Sequence, residues 1–120
     1  RPVWHRACNT VKTDQDPPCH AEVNAIRQLT KRLGQAAPSG TYILYSTCEP
    51  CAMCAATCFW AGIQDIVYGC GVDDFGDLNP NMISIRCEEV LAQSPQQYTV
   101  KRGVLRDACR QLHNEFPLND

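Results

Sequence analysis

One imidazole, two thiols and one carboxylate stand in this chain at spacings that can hold and use a metal ion. They are His20 and Glu22 in Cys19-His20-Ala21-Glu22, and Cys51 and Cys54 in Glu49-Pro50-Cys51-Ala52-Met53-Cys54. His, Cys and Cys make three good ligands for one Zn²⁺ per chain, one short of the closed tetrahedron of a structural site. The unfilled position would take a water, whose pKa the metal lowers from about 15.7 toward about 7. Glu22, two residues past the histidine, could carry that water's protons, work that contributes typically ~10²–10⁴-fold to a rate. The chemistry indicated is metal-assisted hydrolysis, with Glu22 catalytic and His20, Cys51 and Cys54 the ligands.

The elements that must position these groups read as an α/β pattern. Val3 to Asn9 suits an edge or terminal strand, and Thr10 to Pro18 a loop. His20 to Leu33 has helical spacing, with Val23, Ile26, Leu29 and Leu33 on one stripe and Gly34 as the stop. Thr41 to Tyr45 is a short β-rich run. Pro50 stands where a helix can begin without needing its N–H, and Cys51 to Ala61 is a small-residue helix closed by Gly62. Cysteines three apart share a helical face, so both thiolates can reach one ion. Ile63 to Tyr68 is a second strand, Asp73 to Pro80 is turn-rich, Met82 to Leu91 a weaker helix and Tyr98 to Val100 a short strand. Val104, Leu105, Ala108, Leu112 and Phe116 recur at helical spacing near the end. Strands alternating with helices imply a layered α/β domain, and the helix before Tyr98 implies a right-handed crossover joining a parallel pair.

Bulk properties narrow the partners. The 120 residues carry 11 basic and 13 acidic side chains, a formal net charge of −2, which argues against sequence-blind nucleic-acid binding by a basic surface. Arg27, Lys31 and Arg32 cluster on the first long helix and read as a solvated face. No run approaches the ~18 apolar residues of a membrane span, and the start lacks the apolar core of a signal peptide. A cytoplasmic protein without membrane partners is the expectation. Nine cysteines, an odd number, fit reduced thiols and a metal better than a disulfide scaffold. Cys8, Cys70, Cys87 and Cys109 read as small buried hydrophobes.

Two rival readings use the same cysteines. Cys48, Cys51, Cys54 and Cys58 are spaced like a ferredoxin [4Fe–4S] run, but Phe59 rather than Pro follows, there is no second run, and His20 would stay unused. Alternatively Cys48 could be a fourth ligand and close a structural zinc site. Either would make the chain a non-enzymatic zinc- or cluster-binding module.

In His20-Ala21-Glu22-Val23-Asn24-Ala25-Ile26-Arg27 and Cys48-Glu49-Pro50-Cys51-Ala52-Met53-Cys54 the chain resembles the cytidine deaminase-like superfamily, in its purine and tRNA-adenosine branch. Ser46-Thr47-Cys48-Glu49-Pro50-Cys51 and Phe59-Trp60-Ala61 are similar to bacterial guanine deaminases, while Gly103 to Cys109 is more similar to the tRNA-adenosine and nucleoside deaminases. The resemblance implies a three-layer α/β/α fold with a mixed central sheet, here lacking the usual first helix and strand. It implies a single zinc-dependent deaminase domain over residues 1–120. The missing strand would lie between those at Val3 and Tyr42, so the chain is either a piece of a longer polypeptide or has the strand supplied by a partner.

The reaction implied turns a ring amino group of a nucleobase into a carbonyl with release of ammonia, guanine or a similar aminated purine being the substrate favoured. A tRNA adenosine, cytosine or a nucleoside is the alternative. Substrate contacts carried over by the resemblance are Asn9, eleven residues before His20, then Ala21, Trp60 against the ring, and Asp77 or Asp74 on ring N–H groups. A homodimer follows from the resemblance alone.

Overall fold

The computed structural model describes residues 4–75 and 82–116. Its frame is a sheet of three strands, β1 (Ile43–Cys48), β2 (Asp65–Cys70) and β3 (Thr99–Lys101), in that spatial order. Both pairings are parallel, with Leu44 opposite Ile66, Cys48 opposite Cys70, and Ile66 opposite Val100. The implied crossover between the second and third strands is therefore present. The described strands supply only the parallel part of the mixed sheet that was expected.

Helix α2 (Ala21–Leu33) follows a single turn, α1 (Val11–Asp14). Val23, Ile26 and Leu29 recur three apart and form its buried stripe. Gly34 ends it in the left-handed region at φ +66°, where a Cβ would be strained, and its N–H donates to Thr30 O. Helix α3 (Ala52–Ala61) buries Cys54, Ala55, Cys58 and Ala61, small side chains that let α2 and α5 (Cys87–Ala92) approach closely. Along β2, Ile66 and Tyr68 alternate into the core that these helices cover and are fully buried, as the two-residue period of a strand requires.

Gly69 faces the other side. A Cβ there would stand 2.7 Å from Cys109 Cβ and 2.8 Å from Thr47 O, so only glycine lets α6 (Arg106–Glu115) seat on β2. The layers are thus α2, α3 and α5, then the sheet, then α6. The remaining turn, α4 (Val72–Phe75), leads directly out of β2.

Three expectations from the sequence are corrected. Residues 4–9 form no strand; their backbone has no partner strand, and Trp4 instead leans on Tyr45 with ring centroids 5.8 Å apart. Pro50 precedes the helix cap rather than occupying the first helical position, since Cys51 is the cap of α3. The apolar repeat of Val104, Leu105, Ala108, Leu112 and Phe116 is exposed, and the buried residue of α6 is His113.

Candidate active site

His20 and Cys51 are both N-cap residues, of α2 and α3, with extended backbones at φ −64° and −66°. Neither side chain caps its own helix. The two helices pack against each other, which brings their starts together. The carbonyls of the caps accept from Asn24 N–H at 2.9 Å and Ala55 N–H at 2.8 Å, so each helix begins directly behind its ligand. Helix N-termini carry partial positive charge, which favours thiolate over thiol at Cys51 and Cys54.

His20, Cys51 and Cys54 offer ligand atoms within 4.8 Å of one another. His20 Nδ1 lies 3.6 Å from Cys51 Sγ and 3.7 Å from Cys54 Sγ. Two donors at Zn–N of about 2.05 Å and Zn–S of about 2.3 Å, spread at the tetrahedral angle, would be about 3.6 Å apart. The donor set therefore fits Zn²⁺ in chemistry and in spacing. The thiol pair is coupled: the Cys54 thiol hydrogen-bonds to Cys51 sulfur and, with His20, draws the Cys51 thiol well below its usual value. The same bond and burial push Cys54 up.

Glu22, on the first turn of α2, lies among these groups. Burial raises its carboxyl above the usual range, the Cys51 charge raises it further, and its own backbone N–H, His20 and Cys54 act in the opposite sense. A carboxyl so placed holds its proton to higher pH than a solvated glutamate, as a proton carrier near neutral pH needs. All four groups but Cys54 line a cleft of about 1550 Å³ that Asn9, Ala21 and Cys48 also line.

Two residues quoted for their motifs turn out to hold this corner. Asn24 Nδ2 donates to Cys8 O at 2.9 Å, Thr10 Oγ1 at 2.9 Å and Cys19 O at 3.3 Å, pinning the segment that carries Asn9 onto α2. Asn9 Oδ1 accepts from Val11 N–H at 2.9 Å and the residue stays exposed at the cleft. Glu49, 4% exposed, accepts from Val72 N–H at 2.8 Å and from Cys87 N–H at 2.7 Å. It thereby ties the run into Pro50 to the exit of β2 and the start of α5. His113, 8% exposed, belongs to no motif and lies outside the apolar repeat that the spacing predicts for this helix, so the sequence does not mark it. Its Nε2 lies 3.1 Å from Thr47 Oγ1 and 3.4 Å from Cys48 Sγ, and burial lowers its pKa.

Other expected contacts are placed elsewhere. Among the described residues, neither Cys48 nor Cys58 joins the group whose ligand atoms lie within 4.8 Å of one another. Cys8 is exposed rather than buried, whereas Cys70 and Cys87 are buried. Trp60 is 75% exposed, packs edge-on against Phe59, and does not line the cleft. It stands nine residues along α3 from Cys51, about 13 Å at 1.5 Å per residue. Within one chain it is no wall of the site. Asp74 is taken up structurally: Gly71 N–H donates to it at 2.9 Å, and Arg106 and Arg110 pair with it. Asp77 lies outside the described residues.

A parallel α/β sheet with His, Cys and Cys at two adjacent helix starts defines a zinc-binding α/β domain with a carboxylate at the metal set. The chain belongs to the family described as the cytidine and deoxycytidylate deaminase zinc-binding region, whose pattern matches residues 2–70. It is 47% identical over 60 residues to a guanine deaminase of Bacillus subtilis, covering 50% of this chain and 38% of that protein. It is 41% identical over 119 residues to a tRNA-specific adenosine deaminase of Agrobacterium fabrum, covering 98% and 77%. Among solved structures, the guanine deaminase from Nitrosomonas europaea superposes with a TM-score of 0.78 at 25% identity, covering 92% of this chain and 63% of that one. The chain thus spans less than two thirds of both guanine deaminases.

Proposed function

We propose that this chain deaminates an amino-bearing nucleobase ring by zinc-dependent hydrolysis. The observation that carries the reading is Glu22 beside a His20–Cys51–Cys54 donor group, with His20, Glu22 and Cys51 lining one cleft. Zn²⁺ held by those three would supply Lewis acidity that makes hydroxide available near neutral pH. The remaining work falls to the chain. Glu22 carries two protons in turn, the first from the attacking water to the ring nitrogen and the second from the added hydroxyl to the amino group, which leaves as ammonia. Asn9, at the rim, orients the base through its amide. Three protein ligands rather than four favour catalysis over a structural role.

As substrate we infer guanine or a similar aminated purine, supported by likeness to guanine deaminases in sequence and in fold. A second reading, an adenosine in tRNA, has its own support. The likeness to a tRNA-specific adenosine deaminase runs over nearly the whole chain. Such a substrate would have to present its base extruded from the loop. Exposed Trp60, Leu105 and Phe116 would find cover in a homodimer, which size-exclusion chromatography checks. The described residues include no helix long and apolar enough to cross a membrane. The test of function is ammonia release from free bases, nucleosides and tRNA. Release from guanine alone supports the first reading, release from tRNA alone the second, and none from any zinc-loaded, folded sample overturns both.

A further inference from the structure

Cys48 is the thiol that ought to close the zinc site and does not. It stands three residues before Cys51, the C-x2-C spacing that closed structural zinc sites use, and it lines the same cleft as His20, Glu22 and Cys51. Its sulfur is nevertheless outside the donor group. The partner that engages it comes from the far end of the chain: His113 Nε2, 3.4 Å from Cys48 Sγ and 3.1 Å from Thr47 Oγ1. With its proton on Nδ1, the ring accepts at Nε2 from the thiol or from the hydroxyl.

The seating of α6 does not depend on this contact. Cys109 enters the gap above Gly69, and Arg106 and Arg110 reach Asp74. Packing elsewhere thus delivers an imidazole to the end of β1. His113 is the buried residue of a helix whose apolar side chains are largely exposed, so burial of hydrophobic surface does not account for it.

We infer that His113 is a positioning residue that parks the Cys48 thiol against α6 and so keeps a third cysteine out of the zinc site. The inference rests on the zinc reading above. Without the imidazole, the Cys48 sulfur would be released from α6 and could bond to the metal, the thiol proton leaving to solvent as the sulfur–metal bond forms. The site would become one His and three Cys, closed, and of the structural kind.

Cobalt in place of zinc reads this directly, because thiolate-to-Co²⁺ charge transfer in the near ultraviolet grows with the number of sulfur ligands. The wild-type chain should show two thiolates. His113→Leu should show three, a band about 1.5-fold stronger, as soft sulfur donors add to the ligand set. His113→Gln, which keeps a polar group near the Nε2 position, should retain the two-thiolate band. Adding Cys48→Ala to His113→Leu should restore it. A His113→Leu protein that is folded by circular dichroism and has the wild-type band overturns the inference. Cys48→Ala alone tests it without disturbing α6: an unchanged band supports it, and loss of part of the band overturns it. A folded wild-type chain that binds no cobalt would instead remove the zinc reading itself.

Discussion

The corner that holds Glu22 and the corner that holds Asp74 treat the same functional group in opposite ways. At the starts of α2 and α3, burial and a neighbouring thiolate push the Glu22 carboxyl up. At the β2–α4 corner, the Arg106 guanidinium holds the Asp74 carboxyl down, with Gly71 N–H and Arg110 adding to it. A carboxyl poised to change protonation can move protons, whereas one locked as an anion by guanidinium can only hold structure. Both acids stand in motif-like sequence, so environment rather than residue type separates the proposed carrier from the brace.

The strongest way to break this contrast is to remove the metal set from the first corner. Cys51→Ala should lose bound zinc, measured by metal analysis of the purified protein, and turnover should fall below detection. Glu22→Gln should keep the zinc and lose about 10²–10⁴-fold in turnover, because it removes a proton carrier and not a ligand. Full activity in that variant would end the distinction between the two acids.

Glu49→Gln probes the support between the corners. An amide can accept from only one of the two backbone N–H groups that Glu49 now satisfies, leaving a buried donor unpaired. A loss of about 3 kcal/mol in urea unfolding is expected. Asp74→Asn should do least, about 1 kcal/mol at pH 7, with turnover within about twofold. Because the folded Asp74 carboxyl is lowered, its contribution is present above the unfolded value of about 3.9 and is lost as pH falls through the folded value. The gap between wild type and Asp74→Asn should therefore close in unfolding titrations as pH falls below the unfolded value of about 3.9 and through the lowered folded one. A gap that persists there would show that the pairing is not electrostatic.

Some of this was legible in the chain and some was not, for physical reasons that can be named. Helix α2 could be read because Val23, Ile26 and Leu29 repeat at a helical period before a terminating glycine. Residues 4–9 could not, because a run of β-formers becomes a strand only if another strand pairs with it. Helix α6 was anticipated, yet its buried face was not. The sheet offers α6 a glycine gap, and what fills that gap is Cys109 rather than the larger apolar side chains.

What the sequence by itself determined is the donor set and the carboxylate beside it. His20 with Glu22, and Cys51 with Cys54, each stand two or three residues apart at one helix start, so the chain itself holds the members of each pair near one another. What only the tertiary structure decided is who joins that group and who is kept from it. Cys48 meets a histidine 65 positions away, and Asp74 an arginine 32 positions away. No local periodicity reaches across such distances. The choice falls to the packing of α6 on β2, and that packing divides thiols and acids of like appearance into those that work at the cleft and those that hold the fold around it.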